Sequence, residues 1–124
     1  MASVRRVLVV DDDPVHREVV SDILRGEGYA VDLASSGEAA LEAARAARPD
    51  VILLDLFMPG MDGASVLHEL RGDARLSGVR VVVATGIHAS QVRRLLKPDA
   101  VLFKPFAMEE LVLAVAGVVG PARS

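Results

Sequence analysis

Five short apolar runs alternate with five helical stretches, a pattern that predicts an α/β fold with a parallel sheet and helices on both faces. Three observations carry that reading. Runs such as Val7 to Val10 and Val51 to Leu54 are apolar without alternation, as in strands covered on both sides. Each run is followed by cap, glycine or proline signals that bound a helix. The 124 residues, with 52% apolar and 25% charged side chains, suffice for one domain with a sizeable core.

Arg6 to Val10 reads as the first strand. Asp13 and Pro14 open the first helix, Asp as cap and Pro in the first turn. Val15, Val19 and Ile23 recur every four residues as its expected inner stripe, and Gly26 and Gly28 end it. Tyr29 to Ala34 form the second strand, where Asp32 suggests a less protected position. Ser36 starts an alanine-rich helix to about Ala47 with Leu41 and Ala44 inward, and Pro49 closes it.

Val51 to Leu54 are the third strand, and a loop leads to a helix near Ala64 to Arg71 carrying Leu67 and Leu70. Val79 to Ala84 give the fourth strand, Ser90 to Leu96 a short helix, and Ala100 to Phe103 the fifth strand. Met108 to Val119 are the last helix, apolar almost all round. Two readings stay open for it: a core helix padded with small residues, or a contact surface for a homodimer or partner with Leu113 and Val112 outermost. Residues 1–124 are read as a single domain, with 120–124 as a tail.

A net charge of −3 and a pI near 5.5 speak against direct nucleic-acid binding, because a phosphate-tracking surface needs a basic excess. With no cysteine, disulfides, zinc–thiolate sites and thiol nucleophiles are excluded. His16, His68 and His88 share no ligand-like spacing and read as surface residues. No signal peptide or membrane-length apolar run is visible, so a cytoplasmic location is expected.

In open parallel sheets, function gathers beyond the carboxyl ends of the strands. Here those ends carry Asp11-Asp12-Asp13, then Asp55, then Ala84-Thr85-Gly86, then Lys104-Pro105. Carboxylates held close repel unless a cation neutralises them, and a few carboxylates with room for water suit Mg²⁺ or Mn²⁺. A lysine and a hydroxyl nearby can stabilise phosphoryl oxygens, and one carboxylate can act as nucleophile. The cluster suits phosphoryl transfer to an aspartate, or its hydrolysis.

The stretches Val9 to Pro14, Asp55 to Gly63 (DLFMPGMDG), Ala84-Thr85-Gly86 and Phe103 to Phe106 together resemble the receiver domain of bacterial two-component response regulators, of the chemotaxis-regulator-like kind. The likeness covers nearly the whole chain, and the DLFMPGMDG motif is its most specific part. The resemblance implies a flavodoxin-like, doubly wound (βα)5 fold with strand order 2-1-3-4-5. It implies that Asp55 is the phosphoacceptor, that Thr85 is the switch hydroxyl, and that Lys104, followed by a cis Pro105, pairs with Asp55 and then with the phosphoryl group. It makes Asp12 a direct Mg²⁺ ligand, Asp11 a ligand acting mainly through water, and the carbonyl of Phe57 a further ligand. Met58, Pro59 and Gly60 shape the loop, while Asp62 and Gly63 start the next helix. By the same resemblance the partners are a sensor histidine kinase or histidine phosphotransfer protein and a downstream effector or attached output domain. The switching surface is the fourth helix, fifth strand and fifth helix, and the protein signals rather than serving as an enzyme.

Two positions depart from the family pattern. Val101 stands where receivers carry Tyr or Phe, and the interval from Thr85 to Lys104 is shorter, which predicts a short or partly unwound fourth helix. Two rivals compete. Asp11-Asp-Asp13-Pro-Val15 fits the nucleophile motif of haloacid-dehalogenase-like phosphatases, but leaves the Asp55 motif unexplained. A receiver fold acting by contact alone would be expected to lack the acceptor, acidic pair or lysine, and all are present.

Overall fold

The fold is given by a computed structural model that describes residues 4–56, 62–86 and 88–122. Five strands, β1 (Arg6–Val10), β2 (Ala30–Ala34), β3 (Val51–Asp55), β4 (Arg80–Thr85) and β5 (Ala100–Phe103), alternate with five helices. These are α1 (Pro14–Gly26), α2 (Gly37–Ala46), α3 (Gly63–Gly72), α4 (Ala89–Leu96) and α5 (Met108–Val119). The strands pair in parallel in the order β2-β1-β3-β4-β5, as the sequence implies.

The uninterrupted apolar runs have a direct cause. Alternate residues of each central strand enter different cores. Leu8, Val10, Ile52, Leu54, Val81 and Val83 pack with Leu41, Leu67, Leu70 and Val92 of α2, α3 and α4. Val7, Val9, Val51, Leu53 and Val82 pack with Val20, Leu24, Leu111 and Val115 of α1 and α5. Each fully buried Val or Leu contributes about 1.5–3 kcal/mol by removal from water. With both faces satisfied this way, polar side chains in the central strands are displaced to the strand ends.

The helix caps follow the predicted chemistry. The Asp13 carboxylate accepts from the amides of Val15 and His16, Ser36 from Ala39, and Asp62 from Ser65. Past α1, Gly28 adopts φ +98°, the left-handed region that favours glycine.

The inner stripe of α1 needs correction. Val15 and Val19 are 71% and 50% exposed, and Ile23 is only partly buried. Val20, Ser21 and Leu24 face the sheet instead. The strand residues Val7, Val9, Val51 and Leu53 take up the Val20–Leu24 row, which leaves the Val15–Val19 row off the core.

Helix α4 is the shortest, as its interval predicts: eight residues between left-handed His88 and Lys97, with no side-chain cap at its start. Its last carbonyls are met from α3, where Arg71 donates to Leu96 O and Lys97 O at 2.8 Å each. In α5, Leu111 and Val115 are buried and Leu113 is exposed, while Val112 is half-buried rather than outermost. Beyond α5, Ala122 is buried and its carbonyl accepts the Arg5 amide at 2.7 Å. No helix among the described residues is long and apolar enough to cross a membrane.

Candidate functional site

The sheet register brings the polar strand ends to one edge. Val10 pairs with Leu54, Asp55 with Ala84, and Thr85 with Phe103, so Asp11, Asp55, Thr85 and Lys104 follow one another across adjoining strands. Strand β4 runs one residue further than the sequence suggests and includes Thr85, whose carbonyl accepts the Lys104 amide at 2.8 Å. That bond fixes the start of the β5–α5 loop, where the Lys104–Pro105 peptide is cis as expected.

Asp55 closes β3 and is only 8% exposed, while Thr85 is buried. The Lys104 ammonium lies 3.2 Å from Asp55 Oδ2. Asp11, buried, and Asp12, exposed, lie opposite on the β1–α1 loop. One carboxylate oxygen from each of Asp11, Asp12 and Asp55 can be chosen so that all three lie within 4.8 Å of one another. At an effective dielectric near 20, two carboxylates at that separation repel by about 3 kcal/mol, less for the exposed Asp12. One ammonium cannot offset three such charges. An all-oxygen trio with an open side therefore fits a hard divalent cation such as Mg²⁺ that keeps part of its water.

The cleft above these groups has a volume of about 780 Å³ and is lined by Asp11, Asp12, Asp13, His16, Asp55, Lys104, Pro105 and Phe106. Asp13 is spent as the α1 cap, which removes the second acid that the phosphatase motif would require. Phe57, expected to offer a carbonyl ligand, lies outside the described residues, as do Met58, Pro59 and Gly60. Gly63 presses the start of α3 onto the end of β3, with its amide on Leu56 O at 2.8 Å.

His16, expected to be an ordinary surface residue, is half-buried and lines this cleft. Its Nδ1 meets Asp11 Oδ2, and its ring stands edge-on to Phe106 with centroids 5.6 Å apart. The available signal was its position in the first turn of α1, three residues after the cap, where a helix borders the crevice. Val101, in the position of the usual aromatic, is half-buried against the α2–α4 core, and Phe103 is exposed.

Residues 7–116 match the family model of the response regulator receiver domain. The chain is 43% identical over 115 residues to the DNA-binding response regulator MtrA of Mycolicibacterium smegmatis, an alignment covering 90% of this chain and 49% of that protein. It spans about half the length of the curated relatives it matches. The chemotaxis protein CheY4 of Vibrio cholerae superposes with a TM-score of 0.87 at 31% identity, over 94% of this chain and 99% of that one. The receiver domain of the sensor histidine kinase PA1611 from Pseudomonas aeruginosa PAO1, with a magnesium ion coordinated in its active-site cleft, superposes with a TM-score of 0.85 at 30% identity, over 95% and 99% of the two chains.

Proposed function

This chain belongs to the response regulator receiver domain family, and from that premise we propose that Asp55 is its phosphoacceptor. The donor is a phosphohistidine on a sensor histidine kinase or histidine phosphotransfer protein. An oxygen of the Asp55 carboxylate attacks phosphorus. The P–O bond forms as the P–N bond breaks; the electron pair stays on that ring nitrogen, and the imidazole, protonated on its other nitrogen, leaves neutral. The product is an acyl phosphate on Asp55.

The observation that carries this reading is the buried Asp55 carboxylate paired with Lys104 at 3.2 Å beside Asp11 and Asp12. Lys104 aims the attacking oxygen in the resting state and is within reach of a phosphoryl oxygen afterwards. Thr85, one register step away on β4, supplies a hydroxyl to another. Asp12 and Asp55 would hold Mg²⁺ directly, Asp11 through water, and the Phe57 carbonyl would complete the set; Mn²⁺ suits the same oxygens. When bound, the cation supplies fixed positive charge against the phosphoryl oxygens. The burial of Asp55 restricts water on that side and favours a phosphoryl group that persists long enough to signal.

The new group adds roughly two negative charges and three acceptor oxygens at the end of β3. Rearrangement of Thr85 and Lys104 around it biases contacts at α4, β5 and α5, where Leu95, Phe103, Met108 and Leu113 are exposed. The partner there is an effector protein or an attached output segment, and a second copy of the chain can dock through α5. The same reading takes the cytoplasm as the location of the reaction.

The test is incubation with Mg²⁺ and acetyl phosphate followed by intact mass. One added phosphoryl group that disappears in Asp55→Ala supports the reading. Donor turnover abolished by Asp11→Asn but not by Asp55→Ala would support a phosphatase instead. A label that persists in Asp55→Ala would refute Asp55 as acceptor.

A further inference from the structure

His16 belongs to none of the motifs above, yet it is held in the cleft from two sides. Its Nδ1 meets Asp11 Oδ2, and its ring edge rests on Phe106, two residues past Lys104. Its backbone amide is tied to the Asp13 cap, so the residue starts from a fixed point in the first turn of α1. The side chain is about one-third exposed.

The consequence falls on Asp11. Its Oδ1 accepts the Asp13 amide at 2.9 Å, and His16 takes Oδ2. An ionised carboxylate has about four lone-pair directions, two on each oxygen. Two are thus occupied, one from each side, which sets the plane of the group and leaves one direction on each oxygen. The Asp13 contact alone would leave the carboxylate free to swing about its Cβ–Cγ bond. Two contacts on opposite oxygens do not.

We propose that His16 is a positioning residue for the cation site, locking the carboxylate plane of Asp11 so that its remaining lone pairs face the hydration shell of the metal. The imidazole is no ligand itself: among the described residues the close trio is Asp11, Asp12 and Asp55. Phe106 keeps the ring in place and joins this lock to the loop that carries Lys104. The inference rests on the Mg²⁺-binding reading above. Partners that orient a metal's ligands typically change affinity by about 10–100-fold when removed. Because Asp11 acts through water rather than directly, an effect below that range, about 3–10-fold, is expected.

The test is Mg²⁺ titration of the unphosphorylated protein by calorimetry at one fixed pH, with metal-free melting temperatures recorded in parallel. H16L keeps apolar bulk against Phe106 but removes the donor. H16N restores an N–H near the place of Nδ1, and H16Q carries its amide beyond it. The expected result is Mg²⁺ affinity about 3–10-fold weaker in H16L and H16Q, near wild type in H16N, with metal-free melting unchanged. Equal affinity in H16L, tighter binding in H16L, or equal losses in all three variants would overturn the proposal. If H16L does not fold, the H16N against H16Q comparison decides. Failure of the underlying reading looks different: wild type itself shows no saturable Mg²⁺ binding, or D12A binds as wild type does.

Discussion

Gly63 offers a sharp test of how the fold holds Asp55, the proposed acceptor. The residue is the first of α3, in ordinary helical backbone, so the demand there is for space rather than for a special φ. A Cβ at this position would lie 2.7 Å from Leu56 Cα, 2.9 Å from Leu56 O and 3.0 Å from Asp55 O. All three are main-chain atoms at the end of β3, so no side chain can rotate away. Relief requires the start of α3 and the end of β3 to part by several tenths of an ångström, loosening the Gly63 N to Leu56 O bond of 2.8 Å.

Overpacking of this kind costs about 1–3 kcal/mol. Alanine recovers little at a first helical position, where helix propensity weighs least. With a urea m-value near 2 kcal/mol/M, Gly63→Ala should lower the unfolding midpoint by about 0.5–1.5 M. Gly117→Ala is the control. It is exposed within α5 with nothing within 4 Å of the added atom, and should gain about 0.5–1 kcal/mol. The same shift carries the Asp55 carbonyl, so labelling of Gly63→Ala by acetyl phosphate should slow. A Gly63→Ala midpoint at or above wild type would refute the packing argument. A lowered midpoint with unchanged labelling would refute its link to the site.

Removing the Lys104 ammonium, as in Lys104→Ala, should slow acetyl phosphate labelling of Asp55 by about 10–100-fold, read from an intact-mass time course; an unchanged rate would sink its assigned role. Asp73 is held low, at about 2 against 3.8, first by side-chain hydrogen bonds from Arg75, then by the Arg75 amide and Arg45. A depressed carboxyl favours the folded state above its unfolded value and loses that contribution as pH falls from about 4 through about 2. Arg75→Ala should raise the Asp73 midpoint in a carbon-detected NMR titration, though not to 3.8, because the main-chain amide at position 75 and Arg45 both remain. Leu113 is 71% exposed on α5, so Leu113→Glu should leave melting unchanged and abolish any concentration-dependent dimer seen by light scattering. A wild-type chain monomeric at high concentration would remove the dimer itself.

Strands were legible in this sequence because two-sided burial leaves an unmistakable mark, apolar residues at both even and odd positions of β1, β3 and β4. The cluster that makes the candidate site was legible for a related reason. A strand buried on both faces has its ends as the place for charge, so Asp11, Asp55 and Lys104 stand out against their neighbours. Helix α1 shows the limit. Periodicity finds that an apolar row exists, but Val15–Val19 and Val20–Leu24 are both such rows, and the contest is settled only by the sheet beneath. His16 was hidden differently. Its neighbour Phe106 is distant along the chain, and no local pattern announces a contact made by packing α1 against the β5–α5 loop.

The position of Val101 constrains how phosphorylation could be felt elsewhere. With no ring to turn inward, a change at Thr85 must be passed on by packing. Val83 lies two residues before Thr85 on the same face of β4 and is paired in register with Val101, and both join the core that receives Val92 and Leu96 of α4. Helix α4 is lightly held: Val92 is its buried side chain among those described, its start lacks a side-chain cap, and its end depends on Arg71. Elements with few buried contacts are those that shift at least cost. A displacement of β4 at Thr85 therefore meets less resistance in moving α4 as a unit than in repacking the fully buried Leu8, Ile52 and Val83. In this chain the short helix, rather than an aromatic rotamer, is the mechanically weakest path from the proposed acceptor site to the exposed Leu95.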